Sequence, residues 1–172
     1  MDILSFDVES NGLHGQGFAI GAILTNDYGT VTEFTARCPI DGPVDLWVLE
    51  NVLPALDDMQ ETHTSYESML DDFYVFLRRH SKDAKTLTFI PWPVETRVLS
   101  DIFSSDVDRW FEGPFPLTDL STALDTLGFH ATSDSDYMRN HNLIVEFNGT
   151  GHHPLYDAYV ADVIYRHLMS SK

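Results

Sequence analysis

The opening stretch ILSFDVESNGL, residues 3–13, alternates with a period of two. Leu4, Phe6 and Val8 fall on one face of a strand, and Ser5, Asp7 and Glu9 fall on the other. A strand with one fully apolar face must pack that face against a core. Its opposite face carries two carboxylates with Cα atoms roughly 7 Å apart, from a rise of about 3.3 Å per residue. At that separation both can reach one or two divalent cations. Without a cation, two close acids on a partly covered face repel and lose hydration. Mg2+ or Mn2+ would relieve this, because hard oxygen donors suit hard ions. Read alone, Asp-x-Glu is a short motif and also fits a sheet whose outer face is simply wet.

The rest of the chain supplies the other layers. Residues 18–25 and 30–38 are two further strand-like runs, joined by the turn residues Asn26-Asp27-Tyr28-Gly29. Three such strands with short connections predict an antiparallel meander. Leu46, Leu49, Val52, Leu53 and Leu56 keep helical spacing after Pro43, and Pro54 should kink or end that helix. Thr64 with Glu67 carries a capping-box signature. It precedes a helical stripe of Met69, Leu70, Phe73, Phe76 and Leu77. Residues 85–91 predict a fourth strand, and 94–103 and 118–127 predict helices. Residues 134–151 read as polar and irregular, with an apolar burst at 143–147. Residues 154–168 predict a final helix with Tyr156, Tyr159, Val160, Val163 and Ile164 on one side. The expected architecture is α/β, a mixed sheet flanked by helices. It is built as a single domain over residues 1–172, and an apolar content of 43% is enough for a real core.

Charge and cysteine content narrow the function. A formal net charge of −17 repels a long polyphosphate, which argues against tight non-specific duplex binding. The one basic cluster is Arg78, Arg79, Lys82 and Lys85, where it also complements a helix C-terminus. The single cysteine, Cys38, fits a reducing compartment. The apolar runs are too short to span a bilayer and no leader opens the chain, so the expectation is a cytoplasmic protein without membrane contact.

A second chemical signal lies in GHHPLYDAYVAD, residues 151–162. Pro154 suits a first helical position, which puts Asp157 in the first turn, where the helix dipole favours an anion. His152 precedes the helix beside Gly151. A loop histidine near a carboxylate can act as a general base or position a water. Both residues also have plain readings, as a surface histidine and a helix-start acid.

Taken together these blocks resemble the DEDD-type 3′–5′ exonucleases of the histidine subclass, which includes proofreading subunits, oligoribonucleases and ribonuclease T. Asp7-Val8-Glu9, followed by Ser10-Asn11-Gly12-Leu13, is similar to the first motif of that group. His152, four intervening residues, then Asp157-Ala158 is similar to the last. The middle motif aligns Glu95, within residues 91–99, with the family's aspartate, one methylene longer. The resemblance implies a ribonuclease-H-like fold with a five-stranded mixed sheet. It implies two Mg2+ or Mn2+ ions held by Asp7, Glu9, Glu95 and Asp157, with His152 as the base. Gly12 and Leu13 would grip the terminal nucleotide; alternatively they are a turn glycine and a core leucine. The implied activity is release of nucleoside 5′-monophosphates from single-stranded RNA or DNA, as short strands or frayed ends. A homodimer is compatible with the family. The competing expectation is a catalytically weakened member of the same fold that binds nucleic acid or a protein partner. A hydrolase of free nucleotides or dinucleotides is a third. Trp92, between two prolines, could stack on a base or be structural, and His153 has no role in the motif.

Overall fold

The computed structural model describes residues 1–129 and 133–170. Among them, one five-stranded sheet runs in the order β3-β2-β1-β4-β5. The strands are β1 (Ile3–Ser10), β2 (Gly17–Thr25), β3 (Val31–Arg37), β4 (Lys85–Thr88) and β5 (Thr118–Asp119). β1, β2 and β3 form the expected antiparallel meander, while β4 pairs parallel to β1 and β5 parallel to β4. The helices are α1 (Leu46–Asn51), α2 (Tyr66–His80), α3 (Val94–Ser104), α4 (Leu120–Thr126), α5 (Asp134–His141) and α6 (Pro154–Ser170). The result is an α/β mixed sheet of ribonuclease-H-like type. No described helix is long and apolar enough to cross a membrane.

The period-two pattern of β1 sorts its side chains into two cores. Leu4, Phe6 and Val8 pack on one face with Phe73 and Leu77 of α2 and Val98 of α3. Phe6 meets Phe73 edge to face at 5.4 Å between ring centroids. On the other face Ile3 and Leu87 pack against Val160, Ile164 and Leu168 of α6, and Ile23 of β2 meets Leu155 and Ala158. The face carrying the acids is therefore covered rather than wet: Ser5 and Glu9 are both buried.

Several local readings shift. The residue that caps α2 is Ser65, one position beyond Thr64; its hydroxyl accepts from the Ser68 amide, and Ser68 returns the bond in place of Glu67. Pro43 lies outside α1, which Asp45 caps instead by accepting from the amides of Trp47 and Val48. The helix ends before Pro54, which sits in a 3-10 turn, Leu53–Leu56. β4 stops at Thr88, short of residue 91. Residues 118 and 119 belong to β5 rather than to a helix, and Asp119 then caps α4. The segment read as irregular contains α5, capped by Ser133 and closed by Asn142 in the left-handed conformation.

α6 is held on the sheet at two points. Buried Asp162 accepts from the Thr25 hydroxyl at 2.8 Å, and both its oxygens accept from Nε of Arg166 at 3.0–3.1 Å. At the other end, the first turn of α6 lies directly on Gly21 of β2. A Cβ at Gly21 would stand 2.1 Å from the Leu155 amide nitrogen and 2.3 Å from the Pro154 carbonyl carbon. Those are backbone atoms, so they cannot rotate aside. Gly21→Ala should therefore lower stability by about 1–3 kcal/mol in chemical denaturation, the usual range for overpacking. Gly151→Ala, where a Cβ meets nothing within 4 Å, should stay within about 1 kcal/mol.

Candidate active site

Asp7 and Glu9 leave β1 on the α6 side, near its C-terminal end. β4 pairs only with Ile3, Leu4 and Ser5, so the β1 edge beside the acids is open. Ladder pairing puts Asp7 opposite Gly21, the residue under α6, and the register shifts between Glu9 and Ser10. The close seating of α6 on Gly21 is what carries Asp157, in the first turn, to the β1 acids. One carboxylate oxygen from each of Asp7, Glu9 and Asp157 lies within 4.8 Å of the other two. Glu95, in the first turn of α3, is buried and outside this set of three. Its carboxyl lies beside that of Asp7 and faces the backbone N–H groups of Glu95 and Val8, which moderate its titration.

His152 stands at the mouth. Its backbone adopts φ 69°, uncommon for a residue with a Cβ. The His152 amide donates to Asp157 Oδ2 at 2.8 Å, which holds that turn against the helix start. Nδ1 lies 3.7 Å from Glu9 Oε1. The edge of Trp47 meets the imidazole at 5.1 Å with the rings at 88°. Gly12 takes φ 75° in the loop after β1, and Leu13 is 66% exposed, a rim residue and not core. Asn11 ties this loop to the α1 entrance: its side chain donates to the Pro43 carbonyl at 2.9 Å and accepts from the Asp45 amide at 2.7 Å. All seven residues singled out in the sequence, Asp7, Glu9, Gly12, Leu13, Glu95, His152 and Asp157, line one cleft of about 400 Å³. Trp92 lines it as well. His153 points elsewhere, with Nε2 3.5 Å from Asp58.

Two wall residues escaped the sequence reading. Asp134, at the first position of α5, lines the cleft opposite the catalytic candidates. Its only sequence signal is an acid directly after the N-cap Ser133, within a segment too polar to read as a helix. Trp47 follows a capping aspartate, which likewise carries no chemical signature.

The cluster is electrostatically unbalanced. Burial pushes Asp7 well above the ordinary carboxylate range, and Asp157, Glu95, Glu9 and Asp134 push it further. Burial raises Asp157 to about 8, with Asp134 and Glu9 adding to it, against the His152 amide and ring. Burial raises Glu95 to about 7, opposed by the two backbone N–H donors. The Glu9 carboxylate beside its ring raises His152, against burial. Donors to a single Mg2+ or Mn2+ lie no more than roughly 5 Å apart. The three oxygens within 4.8 Å, all hard donors in an anion excess, therefore fit such an ion.

No protein-family model and no curated protein matches this chain by sequence. Solved exonuclease structures share its fold. Exonuclease X in complex with 5′ overhanging duplex DNA superposes with a TM-score of 0.66 at 16% identity, over 99% of this chain and 92% of that one. E. coli Exonuclease I in complex with a dT13 oligonucleotide gives 0.68 at 14% identity, over 99% of this chain. The ExoI/SSB-Ct complex gives 0.58 at 14% identity, over 98%. This chain spans 41% of each of the latter two.

The raised acids make stability depend on pH. Asp157 and Glu95 hold protons in the folded state that they release in the unfolded chain above its ordinary range near 4. Their contribution is complete below that range and is lost as the pH rises through about 7 and 8. Metal-free protein should thus lose on the order of a few kcal/mol between pH 5 and 8, since one pKa unit is worth about 1.4 kcal/mol. Millimolar Mn2+ should restore stability at pH 8 far more than at pH 5. Thermal melts at both pH values, with and without Mn2+, check this; equal melting points throughout would contradict the cluster.

Proposed function

We propose that the chain is a divalent-metal-dependent 3′–5′ exonuclease of the histidine-bearing DEDD type, releasing nucleoside 5′-monophosphates from single-stranded RNA or DNA. The observation that carries this reading is the meeting of Asp7, Glu9 and Asp157 around one point, with Glu95 behind Asp7 and His152 beside Glu9. The exonuclease structures that share the fold support the same class of chemistry.

Asp7, Glu9 and Asp157 would hold the first ion, and Glu95 with Asp7 would complete the place of a second. Bound Mg2+ or Mn2+ would supply neutralisation of the phosphate and a more acidic water. His152 takes the proton from the attacking water. Its Nδ1 faces Glu9, which fixes the ring, and Nε2 has no protein partner among the described residues. Trp47, edge-on to the imidazole, limits its rotation. The Asp157 carboxylate serves twice, as a ligand and as acceptor for the His152 amide. Gly12 keeps the loop backbone close to the cleft, and Leu13 presents an apolar edge to the terminal base. A cleft of about 400 Å³ takes the last one or two nucleotides, roughly, and not a duplex.

End-labelled single-stranded RNA and DNA, incubated with Mn2+ or Mg2+, should shorten from the 3′ end with mononucleotide products. Chelation should stop the reaction, and Asp7→Asn should abolish it. His152→Ala should reduce kcat by about 10²–10⁴-fold, the contribution of a positioned base. Degradation that survives both chelation and Asp7→Asn would overturn the assignment.

A further inference from the structure

The chain carries a second surface suited to nucleic acid, at the opposite end of the sheet from the cleft. α2 ends in Arg78, Arg79 and His80, and Lys82 follows. Facing it, residues 110–115 expose three aromatic side chains: Trp110 is 54% exposed, Phe115 78% and Phe111 91%. Between the helix end and this segment lies a groove of about 470 Å³, lined by Arg78, Lys82, Phe111, Phe115 and the carboxylate of Glu112, with Trp110 outside it. The Phe115 ring rests beside Gly113 and Phe103, where a Cβ on Gly113 would stand 3.2 Å from Phe115 and 3.3 Å from Phe103.

The charge is arranged for an anion. Elsewhere the described arginines are engaged within the fold. Arg37 donates to the Leu56 and Met59 carbonyls, and Arg97 to the Leu13 carbonyl. Arg109 pairs with Asp71, Arg139 with Asp136 and Arg166 with Asp162. At the groove, Arg78 is only partly satisfied, by Glu112 at 3.4 Å, while Lys82 has no acidic partner among the described residues; Arg79 lies beside the groove without lining it. On a chain of net charge −17, Arg78 and Lys82 here offset the lone groove carboxylate, Glu112. The cores of protein–protein interfaces are depleted of lysine. Here two cations on one wall face two phenylalanine rings on the other, the combination that holds single strands by phosphate contact and base stacking.

We propose that this groove is a second contact for single-stranded nucleic acid, holding the strand upstream of the nucleotides in the cleft. The inference rests on the nuclease reading for its direction along the strand. α3 connects the two places: Glu95 is in its first turn and Phe103 near its far end, about 12 Å away at 1.5 Å per residue. A tetranucleotide engages the cleft alone, whereas a strand of about twenty nucleotides reaches both, within the range of single-strand site sizes.

The test is binding of fluorescein-labelled oligothymidylate and oligouridylate, at both lengths, to the non-hydrolysing Asp7→Asn protein in Mg2+. It is paired with hydrolysis by the otherwise unaltered enzyme. The long strand should bind about tenfold more tightly than the short one or better. Phe111→Ser with Phe115→Ser, and separately Arg78→Ala with Lys82→Ala, should remove that advantage and leave tetranucleotide hydrolysis unchanged. The arginine–lysine pair should also flatten the dependence of log affinity on log salt by roughly 1.4, which a merely structural change would not do. Equal affinity at both lengths, or equal loss at both, overturns the proposal. So does a dimer in sedimentation that the phenylalanine variants dissolve while long-strand binding persists, because the groove is then an interface between copies. Length-dependent binding that needs the groove, in a protein that hydrolyses no strand, supports this surface and overturns the nuclease reading instead.

Discussion

The contact between α6 and Gly21 organises both the fold and the cleft. A helix crossing a sheet normally stands off by the depth of two side-chain layers. Here the first turn of α6 rests on bare backbone, since any Cβ at Gly21 would overlap Pro154 and Leu155. Because Gly21 is the cross-strand partner of Asp7, the place of closest approach is also the place where the β1 acids emerge. Asp157, three residues into the helix, is thereby delivered to Asp7 and Glu9 by backbone packing alone. The Thr25–Asp162–Arg166 bonds hold the same helix further along, so its position is fixed at two points.

That geometry has an electrostatic cost. Four acids share a partly desolvated space, with Asp134 close enough to add to the repulsion. Some of it is relieved internally: the His152 amide bonds to Asp157, and backbone N–H groups face Glu95. Helix starts behind Asp157 and Glu95 add favourable partial charge. None of this balances the set, as the raised acids show. A cluster that stays proton-loaded near neutrality is poised to exchange those protons for a cation. Folding energy is thus held in reserve at the place where the proposed chemistry needs an ion.

Much of this was legible in the sequence where a strong local period meets a tertiary constraint. The alternation in β1 fixed which face the acids occupy, and Pro154 fixed the turn of α6 that carries Asp157. The parts that were not legible are local choices between near-equal options. Thr64 and Ser65 are both capping residues, and only the path of the chain selects Ser65. β5 is two residues long, too short for any period to mark, so it merged with the helix behind it. α5 is eight residues with few apolar side chains, among them Tyr137 and Met138, which pack on the α6 side of the sheet. Without that tertiary contact its composition reads as loop, and Asp134 was lost with it. Trp47 is exposed and adjacent to a cap, so nothing local separates it from a surface aromatic.

Glu95 is the residue on which the competing reading of a weakened site depends, and its surroundings argue against decay. A glutamate left over from a lost function has no reason to remain buried: a neutral side chain would avoid the desolvation that lifts this carboxyl to about 7. It stands beside the Asp7 carboxyl and the Val8 N–H, near the part of β1 that β4 leaves unpaired. α3 is seated over Val8 through Val98, and a Cβ at Gly17 would stand 3.2 Å from both valines, which marks how tightly that junction is filled. With the helix held by this packing, the Glu95 carboxyl stays at the β1 edge beside Asp7. Glu95 thus places a fourth carboxyl in the same cleft as Asp7, Glu9 and Asp157.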